Sequence, residues 1–230
     1  MSDYRVIVGD CRDVLAGMET WSVDAIITDP PYNAINRATG GLRSLDKGSA
    51  DSLPVDIDAL APEFARVAAG SIYAWCSDER LSTWLSAFHR AGMTTRTGVW
   101  WKTNPSPMNG EYLWLSAVEV CAFARHDGAY FARRCAPAVW RGPTQTEVDW
   151  HPTPKPVWLM RELVTASVPE GGIVLDPFMG SGSVGVACRL TGRRFVGIEI
   201  NPEWAANAEA RIKRIDARPL SLFGPDPEVA

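Results

Sequence analysis

Residues 172–200 read GIVLDPFMGSGSVGVACRLTGRRFVGIEI. An apolar run closes on Asp176, and a turn holding Gly180, Ser181 and Gly182 leads into a helical stretch over 182–191. A second apolar run then ends in Glu199. Strand, acid, glycine turn, helix and strand in series predict one unit of a parallel α/β sheet. A glycine turn alone is often only structural, and Glu199 alone could be a solvated strand end. In series they point to a nucleotide-type cofactor. The glycines let the backbone approach a ligand at a helix N-terminus, and an acid at the next strand tip is placed for ribose hydroxyls.

Working outward, five more apolar, β-branched segments read as strands: 5–9, 23–28, 71–76, 95–101 and 117–124. With 172–176 and 194–200 they make seven. Helical patterns fall at 58–69, 78–91, 155–167, 182–191 and 202–217, the first two closed by Gly70 and Gly92. The expected fold is a single-domain α/β, Rossmann-like arrangement over residues 1–218. Its seven-stranded, mostly parallel sheet is flanked by helices and followed by a flexible tail, 219–230.

The 230 residues are 46% hydrophobic and 22% charged, the balance of a globular chain. No apolar run reaches the length of a membrane span, and no secretory signal opens the sequence. Five cysteines without CxxC spacing and three scattered histidines exclude a zinc site and fit a reducing cytoplasm. Lys and Arg total 23 against 27 Asp and Glu, a net charge of -4. Any DNA contact must therefore rest on local basic stretches. Two stretches break the alternation and offer them: 33–54 with Arg37, Arg43 and Lys47, and 125–154 with Arg133, Arg134 and Arg141. The ten tryptophans serve either as core or as stacking surfaces for bases.

Asp29-Pro30-Pro31-Tyr32 directly follows the strand VDAIIT. Two prolines stop the strand and stiffen its carboxyl end, where ligands bind in open α/β sheets. The Asp29 carboxylate and the Pro30 carbonyl can accept both hydrogens of a planar exocyclic amine, and Tyr32 can stack on the base carrying it. Two weaker segments complete the set: His151-Pro152-Thr153-Pro154-Lys155-Pro156 before a helix, and Gly9-Asp10-Cys11 closing the first strand.

In this order the five segments resemble the β-class DNA amino-methyltransferases, which methylate adenine N6 or cytosine N4 with S-adenosylmethionine (SAM). The resemblance runs over residues 4–216 and includes Trp100-Trp101-Lys102-Thr103-Asn104-Pro105. It implies a permuted methyltransferase fold whose two ends lie close together. It further implies that Asp29, Pro30, Pro31 and Tyr32 form the catalytic loop. Asp176, Phe178, Gly180, Ser181 and Gly182 would line the methionine part of SAM, with Glu199 at its ribose. Asp10 and Cys11 would lie beside its adenine, and Thr153 and Lys155 near its amino and carboxyl groups. Double-stranded DNA is the implied partner, with a homodimer as an open option, no metal, and a prokaryotic or phage cytoplasm as the setting. Asp in the first motif position leans toward adenine N6, because cytosine-N4 enzymes more often carry Ser there. Cytosine N4 stays as the alternative. RNA or protein-glutamine methylation and a non-catalytic DNA-binding subunit rank lower.

Overall fold

The computed structural model describes residues 3–31, 55–107, 110–144 and 148–215. Among them are eight strands: β1 (Tyr4–Val8), β2 (Val23–Thr28), β3 (Ala68–Cys76), β4 (Thr94–Lys102), β5 (Val118–Arg125), β6 (Val139–Gly142), β7 (Ile173–Asp176) and β8 (Arg194–Glu199). Six helices accompany them: α1 (Cys11–Ala16), α2 (Ile57–Val67), α3 (Asp78–Arg90), α4 (Val157–Ser167), α5 (Ser183–Leu190) and α6 (Pro202–Lys213). All eight strands join one sheet in the order β1-β8-β7-β2-β3-β5-β4-β6. The first five are mutually parallel, β5 runs antiparallel between β3 and β4, and β6 is parallel to β4. Seven strands therefore point one way, and their carboxyl ends share one edge.

The central strands are buried on both faces, which is why they read as continuous apolar runs. In β2, Ala25, Ile26 and Ile27 have no exposed surface. Ile26 and Ile72 pack with Leu15, Phe64, Trp84 and Phe88 of α1, α2 and α3. Ile27 and Tyr73, pointing the opposite way, pack with Leu163, Val186 and Ile212 of α4, α5 and α6. Trp75, Trp84 and Trp100 belong to this core, whereas Trp114 is 99% exposed.

Three sequence expectations are corrected. The sheet has eight strands, because β6, only four residues long, pairs with the outer half of β4. The helix α1 spans six residues, too few to show a period. The second helix ends at Val67 and not at Gly70, which lies inside β3. There the β2–β3 register shifts by one residue, and a Cβ on Gly70 would sit 2.4 Å from the Asp24 carbonyl oxygen. Gly70 is thus a bulge glycine.

The ends of the described chain do meet. Arg189 Nη1 donates to Asp3 Oδ2 at 2.8 Å, and its Nη2 donates to the Ile215 carbonyl at 3.1 Å. No helix among the described residues is long and apolar enough to cross a membrane.

Candidate functional site

From β7 the chain turns outward to β8, and from β2 it turns the other way to β3. The two strands are neighbours, so the crevice between their carboxyl ends is the topological switch point of the sheet. A cavity of about 260 Å³ opens there, lined by the segment after β2, the turn after β7 and the segment 151–155.

At the tip of β7, Asp176 is 3% exposed. Its Oδ1 accepts from Thr28 Oγ1 at 2.8 Å and from the Phe178 N–H at 3.1 Å, so one carboxylate bridges the two strand ends. Burial pushes its pKa up to about 7, and the nearby Asp29 and Glu199 carboxylates push it the same way. Ionisation is then easier in the unfolded chain than in the folded one. The resulting destabilisation is absent below the unfolded pKa and grows as pH rises toward 7. Asp176→Asn keeps an acceptor for Thr28 and removes this cost. In thermal denaturation the variant is expected to gain on the order of 4 kcal/mol at about pH 8 and almost nothing at about pH 4. An equal effect at both pH values would contradict the assignment.

The turn after Asp176 holds its shape through backbone bonds. Met179 N–H donates to Ile198 at 2.9 Å, and Gly182 N–H donates to Met179 at 2.9 Å. Gly180 and Gly182 have φ of +49° and +74°, the left-handed region that glycine tolerates. Glu199 is 6% exposed, and its two oxygens accept from the Gly180 and Asn201 N–H groups, each at 2.9 Å. Ser181 and Ser183 hydroxyls lie 3.1 Å apart beside the start of α5.

Other sequence candidates line the same cavity. Asp10 caps α1 and accepts from the Arg12 N–H at 2.9 Å. Cys11 is buried, which pushes its thiol up to about 12 and leaves it inert as a nucleophile. Thr153 N–H donates to His151 Nδ1 at 3.4 Å, which places the proton of the neutral ring on Nε2. Burial first, then the charges of Lys155 and Arg211, lower the His151 pKa to about 4. Its ring packs on Trp204 at 4.8 Å between centroids.

Lys155 does not stand alone in the crevice. Its ammonium pairs with Asp29 Oδ2 and lies 3.2 Å from Glu119 Oε2. The other Asp29 oxygen, Oδ1, is buried without a hydrogen-bond partner among the described residues, as is Trp75 Nε1 on the same cavity wall. The lining fits a cation-bearing nucleoside: it holds the carboxylates of Asp10, Asp29, Asp56, Glu119, Asp176 and Glu199, and a cradle at Gly180 that a Cβ would fill, 2.8 Å from His151 Nε2.

A DNA methylase family model for N6 and N4 methyltransferases matches residues 23–210. The chain belongs to this DNA methylase family. The methylase is 30% identical to methylase YubD of Escherichia coli K12 over 92% of this chain and 91% of that protein. It is 28% identical to the type II methyltransferase M2.DpnII of Streptococcus pneumoniae, covering 90% and 89% of the two. Among solved structures, M1.HpyAVI in its SAM complex superposes with a TM-score of 0.71 at 23% identity, covering 91% of this chain and 99% of that one. The cytosine-N4-specific PvuII DNA methyltransferase gives 0.71 at 16% identity, covering 94% and 92%. These likenesses establish a methyltransferase fold, here with the Asp29 segment preceding the glycine turn.

Other expected site residues of the methylase fall elsewhere. Tyr32, Arg37, Arg43 and Lys47, with the rest of 33–54 and the tail 219–230, lie outside the described residues. Arg133 and Arg134 are not at the crevice. Because β5 runs antiparallel, the chain after Arg125 leaves from the opposite edge of the sheet. Ala132 N–H there bonds the Ala166 carbonyl near the end of α4, and Arg133 pairs with Glu162. Arg141, on β6, lies toward the carboxyl edge of the sheet with its guanidinium 4.9 Å from the Trp101 ring centroid. Sequence reading missed Glu119, Thr28, His151 and Trp75 as cavity residues. Glu119 had a signal, as the lone charge inside an apolar strand.

Proposed function

We propose that this DNA methyltransferase transfers a methyl group from SAM to the exocyclic N6 amine of adenine in double-stranded DNA. The observation that carries the reading is Asp29 Oδ1. It is a buried carboxylate oxygen with no hydrogen-bond partner among the described residues, at the tip of β2 and across the switch point from the glycine turn. The second unmet atom, the Trp75 Nε1 donor, supports a nucleobase edge, which offers an amine hydrogen beside a ring-nitrogen acceptor. Adenine and cytosine both present such an edge. Asp rather than Ser at the first position of the motif favours adenine.

SAM supplies a methyl group on a sulfonium, an electrophile that needs no covalent enzyme intermediate. Asp176, Phe178, Gly180, Ser181, Gly182 and Glu199 would hold it, with Asp10, Cys11, Thr153 and His151 on the remaining walls. The target base leaves the helical stack to enter the crevice. Asp29 Oδ1 and the Pro30 carbonyl accept the amine hydrogens. As the nitrogen gains its new bond it becomes more positive, and Asp29 takes up the proton it sheds.

The test is incubation with duplex DNA and methyl-labelled SAM, followed by digestion to nucleosides. N6-methyladenine is the expected product. Labelled N4-methylcytosine would overturn the base assignment, and unlabelled DNA would overturn the reaction.

DNA contact at the catalytic edge is assigned to Arg141, with residues 33–54 as the recognition segment. Arg141→Ala is expected to reduce the slope of log K against log salt by about one. The Arg133→Ala/Arg134→Ala double variant should leave it unchanged. Equal loss from both variants would refute the distinction.

A further inference from the structure

Asp29 belongs to a chain of four alternating charges. Lys155 lies between Asp29 and Glu119, and Glu119 Oε1 lies 2.8 Å from Lys102 Nζ. The four groups come from separate parts of the fold: the end of β2, the segment before α4, β5 and β4. The two lysine side chains are 10% and 15% exposed, and each ammonium also faces an indole, Lys155 over Trp75 and Lys102 over Trp100. An exposed ion pair contributes little and wanders. Here burial and two carboxylates fix the Lys155 ammonium at one place, and one of those carboxylates is Asp29.

We infer that Lys155, held in turn by Glu119, is a positioning residue for the reaction: its ammonium occupies Asp29 Oδ2 and leaves Oδ1 as the acceptor for the target amine. The inference rests on the proposed role of Asp29. A carboxylate free to rotate would offer its oxygens in many orientations. One pinned through Oδ2 meets the amine with little reorganisation, which is the condition under which a polar group lowers a barrier most. The cation has a second effect. Without it, Asp29 and Glu119 would share a low-dielectric crevice as like charges, and one would take up a proton. Burial alone would raise the Glu119 carboxyl, but Lys155 and Lys102 outweigh it and hold it below the ordinary range. Among the described residues, other titratable groups that act on this chain include Cys76 and His151, with Cys121 behind Lys155 and Asp176 beside Asp29.

The experiment measures kcat against pH at saturating SAM and DNA, with SAM affinity measured separately by calorimetry. Lys155→Met is expected to lower kcat roughly tenfold or more near neutral pH and to move the acid limb up by about 1–3 units, so that activity recovers as pH rises. Lys155→Arg should retain most of the rate. Adding Glu119→Gln to Lys155→Met removes the like charge and should move the limb back down. If Lys155→Met does not fold, Lys155→Gln replaces it in the same comparison. A Lys155 variant with weakened SAM binding but an unmoved acid limb would overturn the inference and make Lys155 a cofactor contact only. Near-normal activity in Asp29→Ala would instead bring down the reading beneath it.

Discussion

Asp29→Ala is expected to lower kcat by a factor on the order of 10²–10³ while SAM binding changes little. The substitution deletes a buried carboxylate oxygen on the crevice that has no hydrogen-bond partner among the described residues. It also leaves Lys155 within 3.2 Å of Glu119, so the ammonium keeps one carboxylate partner, which it then shares with Lys102. The loss should appear in kcat and not in KM. In the ground state the amine is neutral and its hydrogen bond to Asp29 is ordinary. As the methyl group arrives, charge builds on nitrogen and the bond to a carboxylate strengthens. An interaction that grows toward the transition state raises kcat, whereas one of constant strength alters only binding. Asp29→Asn should fall between wild type and alanine, because it offers an acceptor without the charge. Rapid-quench single-turnover rates with a duplex substrate measure this directly. A single-turnover rate within a factor of about two for Asp29→Ala would refute amine capture by this residue.

The parts of the fold legible in the sequence were those set by burial on both faces. VDAIIT, SIYAWC and RFVGIEI are mostly apolar because helices cover both sides of the central sheet, and the first and last of them lead into Asp29 and Glu199 at their carboxyl ends. What stayed hidden depends on strand direction and pairing partners, which local pattern does not encode. The run 117–124 looks like any other buried strand, yet it is antiparallel, and that alone moves Arg133 and Arg134 to the far edge of the sheet. The strand β6 exists only as an addition to the outer half of β4. In the site, the acid, the prolines and the glycine turn were readable because they are adjacent in sequence. The Asp29–Lys155–Glu119–Lys102 chain was not, since it joins residues from four separate segments. The Thr28–Asp176 bond likewise spans 148 positions.

Gly180→Leu is expected to abolish detectable SAM binding in a protein that still folds. Two costs fall on the folded state whether or not cofactor is present. A side chain at φ +49° is strained by about 1–2 kcal/mol. Its Cβ would also lie 2.8 Å from His151 Nε2, an overpacked contact that costs about 1–3 kcal/mol as the ring gives way. These lower Tm but do not alone remove a ligand. Binding is lost for a different reason. The ring of His151 is packed on Trp204 and the Gly180 N–H is bonded to Glu199, so the turn has little room to retreat. The leucine side chain must then enter the cavity of about 260 Å³ between the glycine turn and the Asp29 segment. The two effects separate in a thermal shift titration. Wild-type protein should gain about 2.7 kcal/mol of stability at a SAM concentration a hundred times Kd. Gly180→Leu should start from a lower Tm and gain nothing. A SAM-induced rise equal to that of the wild type would show that the glycine turn does not face the cofactor.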